Sequence, residues 1–231
     1  MLLAIDIGNT NINLGVWDDQ TLQREWRIQT SRDRTADEYG ILLVGLLRED
    51  GLGKVITGVI LASVVPALTQ TFTMLCRNTL RIEPLFVTAN LDLGIDIRTD
   101  NPAEVGADRL VNAVAAYHLF KRPCIIIDMG TATTFDVVSA NGELLGVVIA
   151  PGLRLAANAL ISQAAQLSQV PLDAPPQATG KNTVHAIQSG LIFGYVALIE
   201  GMIQRLMDEH PDQNSEIVVL GTGGLISLIT P

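Results

Sequence analysis

One pattern occurs twice in this chain, and it constrains the fold more than any other feature. Near the start, Leu2-Leu3-Ala4-Ile5 runs apolar into Asp6-Ile7-Gly8-Asn9-Thr10, and alternating Ile12, Leu14 and Val16 follow. Near the middle, Cys124-Ile125-Ile126-Ile127 runs into Asp128-Met129-Gly130-Thr131-Ala132-Thr133-Thr134, and Phe135, Val137 and Val138 follow. The two aspartates lie 122 positions apart in a chain of 231 residues. A period that long exceeds any solenoid repeat and suits two related domains.

Each copy reads as strand, tight turn, strand. A third strand is expected after each, over Leu22–Ile28 and Leu144–Ala150, then helical pattern over 36–49 and 152–166. The first half continues with a strand at Val59–Ala62, a helix from Pro66, a strand at Leu85–Val87 and a helix from Val105 to Phe120. In the second half, Ile187, Leu191, Phe193, Val196, Ile199, Met202, Ile203 and Leu206 recur at helical spacing and predict a helix over Thr183–Glu209. A strand at Ile217–Leu220 and the turn Gly221-Thr222-Gly223-Gly224 follow, and residues 171–180 form a Pro-rich loop. The expected fold is α/β, two halves each with a mixed sheet flanked by helices. The boundary is placed at Lys121-Arg122-Pro123, where proline stops the preceding helix, giving domains 1–121 and 122–231.

Small residues after a strand-end aspartate bring the backbone close to something. Gly8 and Gly130 allow the turn with no side chain in the way. Backbone N–H groups and the hydroxyls of Thr10, Thr131, Thr133 and Thr134 then offer donors to phosphate oxygens. Asp6 and Asp128 are expected to face one another across a cleft and hold or orient a cation. Either turn alone also fits an ordinary Asp-Gly turn; two copies, each after a buried strand, favour the phosphate reading. No G-x-x-x-x-G-K-[ST] is present, and no G-x-G-x-x-G follows the first strand.

Composition narrows the partners. A formal charge of −9 gives no basic field for nucleic acid, yet a nucleotide needs only a local pocket of donors and a metal. A 48% hydrophobic share with 17% charged residues excludes disorder. The apolar runs 123–127 and 144–153 fall short of a membrane span, and nothing basic precedes Leu2-Leu3-Ala4-Ile5, so neither span nor leader is expected. Two cysteines, Cys76 and Cys124, make no disulfide framework; a buried free thiol at Cys124 and a reducing cytoplasm fit. Of the three histidines, His118 and His210 lie towards helix ends and are expected in solvent.

Asp100-Asn101-Pro102-Ala103-Glu104-Val105-Gly106-Ala107-Asp108-Arg109 is the most specific block. It matches the N-P-x-x-x-G-A-D-R signature of the type III pantothenate kinases, and the whole chain resembles that family within the actin and sugar kinase superfamily. Gly146, Pro151-Gly152, Gly180-Lys181-Asn182-Thr183, Ser189-Gly190 and Thr222-Gly223-Gly224-Leu225 follow in the family's order. The resemblance implies duplicated ribonuclease H-like (actin-like ATPase) domains, each with a five-stranded sheet, and an ATP cleft between them.

It also implies roles. Asp108 is the general base for the pantothenate hydroxyl, Arg109 binds pantothenate, and Thr99, Gly106 and Ala107 line the same pocket. Asp6, Ile7, Gly8, Asn9, Thr10, Asn11, Ile12 and Asn13 bind ATP phosphates, Thr131 is a second ATP contact, and Gly223 and Gly224 pass beside the adenosine. Asp128 holds a monovalent cation, K⁺ or NH₄⁺, and Asp6 serves Mg²⁺, directly or through water. Thr183 reaches pantothenate across a homodimer interface. Phosphoryl transfer is mostly positioning and charge neutralisation, so one carboxylate near the nucleophile, Mg²⁺ and backbone donors suffice. Without the family, Asp108-Arg109 reads as a favourable charge at a helix N-terminus plus a surface pair.

Two departures stand out. The family usually carries tyrosine where this chain has Thr99, and its members continue past the Gly-Gly turn, so the second domain is expected to be short at its C-terminal end. Two other readings stay open: a kinase for another small hydroxyl compound, which the Gly-Ala-Asp-Arg block disfavours, and a catalytically retired regulatory relative. Retention of Asp6, Asp108 and Asp128 counts against the latter.

Overall fold

The computed structural model of the chain describes residues 1–163 and 170–229. β1 (Leu2–Ile7), β2 (Asn11–Asp18) and β3 (Thr21–Gln29) form an antiparallel meander; after helix α1 (Ala36–Glu49), β4 (Gly58–Ser63) adds parallel to β1. Helix α2 (Pro66–Leu75) leads to β5 (Leu85–Phe86), which closes a five-stranded sheet of order β3-β2-β1-β4-β5. A two-residue strand, β6 (Asp96–Ile97), and helix α3 (Ala107–Phe120) follow. The meander then repeats as β7 (Cys124–Met129), β8 (Ala132–Val138) and β9 (Glu143–Pro151). Helices α4 (Leu153–Gln163) and α5 (Thr183–Glu209) lead to β10 (Val218–Thr222), parallel to β7. Residues 164–166 of the expected helix 152–166 lie outside the described residues.

The second sheet has the order β10-β7-β8-β9-β6. Two five-stranded mixed sheets were expected, but the fifth strand here is β6, absent from the sequence reading. Asp96 and Ile97 pair with Glu143 and Leu144, and two residues carry no periodicity to read. The expected boundary at 121–122 follows the repeat, whereas packing groups Met1–Asp92 with Asn101–Val111, and Leu93–Asp100 with the chain from Asn112 onward.

Local chemistry explains the ends of the elements. Thr35 caps α1 with Glu38 reaching back, a capping box that satisfies two backbone donors at the helix start. Pro66 occupies the first turn of α2, where its missing N–H is harmless. After α3, Lys121 turns to φ 52°, and Pro123 follows.

Each unit has its own core. In the first, Ile5 and Ile7 of β1 with Ile12 and Leu14 of β2 pack on Tyr39 and Leu43 of α1 and Phe72 of α2. In the second, Ile125, Ile127, Met129 and Phe135 pack on Leu153 of α4 and Leu191, Tyr195 and Ile199 of α5. β1 alternates between buried and less buried positions while Cys124–Ile127 are all buried, which is why the second strand reads as an unbroken apolar run. α5 is long and apolar enough to cross a membrane, the only such helix among the described residues. Its buried side chains, Ile187, Leu191, Tyr195 and Ile199, belong to the second core.

His210 departs from expectation. It is buried, its Nε2 lies 3.3 Å from the Val138 carbonyl, and its Nδ1 accepts from the Asp212 N–H at 3.0 Å. The chain leaving α5 folds back onto β8, and both ring nitrogens find backbone partners there. Cys124 is a buried free thiol as expected.

Candidate active site

The duplication places Asp6 and Asp128 at equivalent points of their sheets. Asp6 pairs with Asn13 of β2 on one side and Ala62 of β4 on the other. Asp128 pairs with Thr134 of β8 and Thr222 of β10. Each therefore stands one residue before the end of an interior strand, flanked by its hairpin partner and by the returning parallel strand.

In the first turn, the Gly8 N–H donates to the Asn11 carbonyl at 3.0 Å, and a Cβ on Gly8 would lie 3.0 Å from that same oxygen. The turn is thus tight enough to favour glycine. β3 holds it from the side: the Thr30 hydroxyl donates to the Gly8 carbonyl (2.7 Å) and the Thr30 N–H to the Thr10 carbonyl (3.0 Å). Arg32 donates to Asn9 Oδ1 at 3.3 Å. Asp6 is exposed and accepts from Asn13 Nδ2 at 3.1 Å, while Arg27 Nε donates to Asn13 Oδ1, also at 3.1 Å. Thr30, Arg27 and Arg32 escape a sequence reading, because only the register Asn11↔Gln29 carries the end of β3 to the turn.

The second turn is gripped from two sides by backbone. A Cβ on Gly152 would sit 2.2 Å from the Thr131 carbonyl oxygen, and one on Gly223 2.6 Å from Asp128 Oδ1. Gly223 also has φ 92°, a conformation that favours glycine on its own account. The Gly-Gly turn after β10 accordingly lies against Asp128, the last residue but one of β7. Thr131 is exposed at the tip, but Thr133 and Thr134 are buried. The expectation that their hydroxyls donate to phosphate is corrected: Thr133 bonds to the Tyr195 hydroxyl, and Thr134 Oγ1 is enclosed with no hydrogen-bond partner. Strand alternation turns one towards the core and the other to the opposite, covered face.

The Gly-Ala-Asp-Arg block forms the head of α3. Asp108 Oδ1 accepts the Arg109 N–H at 2.8 Å, and Asp108 Oδ2 receives Arg109 Nη2 at 3.0 Å. The Arg109 side chain is only 9% exposed and that of Asp108 34%, so the pair is no surface ornament. Gly106 is part of the arrangement, since a Cβ there would lie 2.6 Å from Asp108 Oδ1. Farther along α3, Asn112 Nδ2 donates to Asp136 of β8, a carboxylate with no exposed surface, at 3.4 Å.

Thr99 follows β6 and is half-buried, with its Oγ1 enclosed and unpartnered. Thr183 is the exposed first residue of α5, next to Asn182, whose side chain caps the helix by accepting the His185 N–H at 2.9 Å. Gly180 lies so close beneath that a Cβ would meet the Ala186 nitrogen at 2.3 Å.

The family model described as type III pantothenate kinase matches residues 2–205. A type III pantothenate kinase from Moorella thermoacetica is 48% identical over 232 residues, 100% of this chain and 90% of that protein. One from Paramagnetospirillum magneticum is 51% identical over 230 residues, 99% of this chain and 87% of that protein. Among solved structures, the activator of the 2-hydroxyisocaproyl-CoA dehydratase from Clostridium difficile with bound ADPNP superposes with a TM-score of 0.54 at 12% identity, covering 99% of this chain and 81% of that one. That likeness concerns the actin-like α/β fold alone. With its signature block built into the head of α3 and both Asp-x-Gly turns in place, the chain belongs to the type III pantothenate kinase family.

Proposed function

We propose that this chain transfers the γ-phosphoryl group of ATP to the hydroxyl of pantothenate, giving ADP and 4′-phosphopantothenate, the entry to coenzyme A synthesis. The observation that carries the reading is the Asp108 carboxylate. It stands partly exposed at the head of α3, held by Arg109 and crowded by Gly106, in a family member of nearly full length. Asp108 accepts the hydroxyl proton as the bond to phosphorus forms, a late transfer to a positioned carboxylate. Arg109, Gly106, Ala107 and Thr99 contribute to the pantothenate pocket.

ATP phosphates bind along Asp6–Asn13 and at Thr131, and the adenosine passes Gly223 and Gly224. Asp6 presents hard carboxylate oxygens at the surface, the donor type that Mg²⁺ takes one or two of beside phosphates and water. The ion neutralises charge on the phosphates. Asp128, near the end of β7 beside Gly223, is the carboxylate for a monovalent cation. Among the described residues no three His, Cys, Asp or Glu cluster as a self-sufficient metal site.

A homodimer completes the pocket with Thr183 of a second copy. In support, α5 exposes Val184, Phe193 and Leu198, and Gly190, Gly194 and Gly201 open onto empty space, where another helix can approach closely. A cytoplasmic location fits this chemistry.

A coupled ADP-release assay with and without pantothenate tests the proposal. Turnover that depends on pantothenate is expected; turnover with a sugar or polyol instead, or none with any acceptor, overturns it.

A further inference from the structure

Helix α5 carries a tyrosine in the middle of its apolar face, and packing alone does not account for the hydroxyl. Tyr195 is 7% exposed and lies among Ile125, Ile127, Phe135 and Leu191 in the second core, where phenylalanine would bury the same ring. Its hydroxyl reaches the Pro151 carbonyl at 2.8 Å and makes a short hydrogen bond with Thr133 Oγ1. Burial pushes the phenol up from its ordinary pKa, against a smaller opposite pull from Thr133, so it keeps its proton near neutrality. A carbonyl can only accept, and a phenol has one hydrogen. Tyr195 therefore donates to Pro151, and the Thr133 hydroxyl donates to Tyr195.

Those two partners stand on either side of the second phosphate turn. Thr133 is the first core-facing residue after the turn on β8. Pro151 ends β9 directly opposite Ala132, and Gly152, the next residue, presses on the Thr131 and Gly130 carbonyls. One hydroxyl thus joins the strand that leaves the turn to the strand end whose next residue, Gly152, packs against it. We infer that Tyr195 is a positioning residue for the nucleotide: its hydroxyl, bonded to Thr133 and Pro151, holds the Gly130–Ala132 turn in the shape that receives ATP phosphate. The inference rests on the proposed ATP role of that turn.

Tyr195→Phe keeps the ring and removes both bonds, and Thr133→Val removes one of them without touching the helix. The readouts are the affinity for a non-hydrolysable ATP analogue with Mg²⁺, measured without turnover, the KM values for both substrates, and thermal stability. In both variants nucleotide affinity should fall by about threefold to tenfold, the size of one net hydrogen bond, with the pantothenate KM unchanged. The double variant should lose little more than either single one, because all three remove the same link. Unchanged nucleotide affinity in a folded Tyr195→Phe overturns the inference, and so does an equal loss for both substrates, which marks general loosening. Should Tyr195→Phe fail to fold, the isosteric Thr133→Val decides by the same readings. A wild-type chain that binds the analogue but ignores pantothenate sinks the pantothenate assignment, while the titration still decides the role of Tyr195.

Discussion

Asp108 and Arg109 are neighbours in the chain and partners in space: Arg109 Nη2 meets Asp108 Oδ2 at 3.0 Å while the Arg109 N–H holds Oδ1 at 2.8 Å. Both carboxylate oxygens are therefore engaged, and the side chain has a defined direction at the head of α3. Asp108→Asn keeps the size but cannot take a proton. Its kcat should fall by about 10²–10⁴-fold, with ATP binding nearly intact in a direct titration. A variant that keeps near wild-type kcat removes Asp108 from the role of base.

Gly106→Ala tests the same corner from the other side. The atom a methyl would meet, Asp108 Oδ1 at 2.6 Å, is the end of a side chain, so the clash relieves itself by moving the carboxylate. We expect kcat to fall at least about tenfold, by misplacement of the proposed base, with little change in melting temperature. Gly152→Ala meets backbone at 2.2 Å and should lose stability first. Equal melting-temperature losses in the two variants would contradict this division.

If Asp128 holds the monovalent cation, turnover in Mg²⁺ should rise when K⁺ or NH₄⁺ replaces Na⁺, and Asp128→Asn should lose that dependence. Rates indifferent to the exchange take Asp128 out of the role.

The resemblance to the family sets Thr99 at the position of a tyrosine ring. Thr99→Tyr should lower the pantothenate KM by about 5–30-fold, on the scale of burying an aromatic face, and leave the ATP KM alone. A higher pantothenate KM means another group fills the space. Thr99→Val, which removes an enclosed and unpartnered hydroxyl, should raise stability by about 1 kcal/mol, read by denaturant unfolding.

The α1 capping box predicts a pH dependence. Hydrogen bonds from the Thr35 backbone and side chain hold the Glu38 carboxyl below its ordinary pKa of 4.5. A lowered folded-state pKa means that the charged form favours the fold. The contribution is then complete above about pH 4.5 and disappears as pH falls through the lower folded-state value. Glu38→Gln should destabilise at pH 7 and become neutral in strong acid; a difference that persists at low pH assigns the loss to something other than ionisation.

Much of this protein is legible in one dimension because its signals are local. Apolar strand, aspartate and glycine turn follow one another within ten residues, so both hairpins and their returning strands could be placed before any fold was known. The helix over Thr183–Glu209 was readable because its periodicity is long; the structure adds the Asn182 cap. The family's block lies within ten consecutive residues, so Asp108 needed no structure to be singled out. What the sequence could not decide depends on register and approach between distant segments. Hairpin pairing brings Thr30 to the first turn, and two-residue β6 joins a sheet whose other strands come after it in the chain. Strand alternation buries Thr133 and Thr134, which by composition alone look as available as Thr131. Tyr195 lies 62 residues from Thr133; only the packing of α5 against β8 reveals that its hydroxyl belongs to the turn. Short-range patterns determined which groups are present, and the tertiary structure decided which of them are already committed to one another.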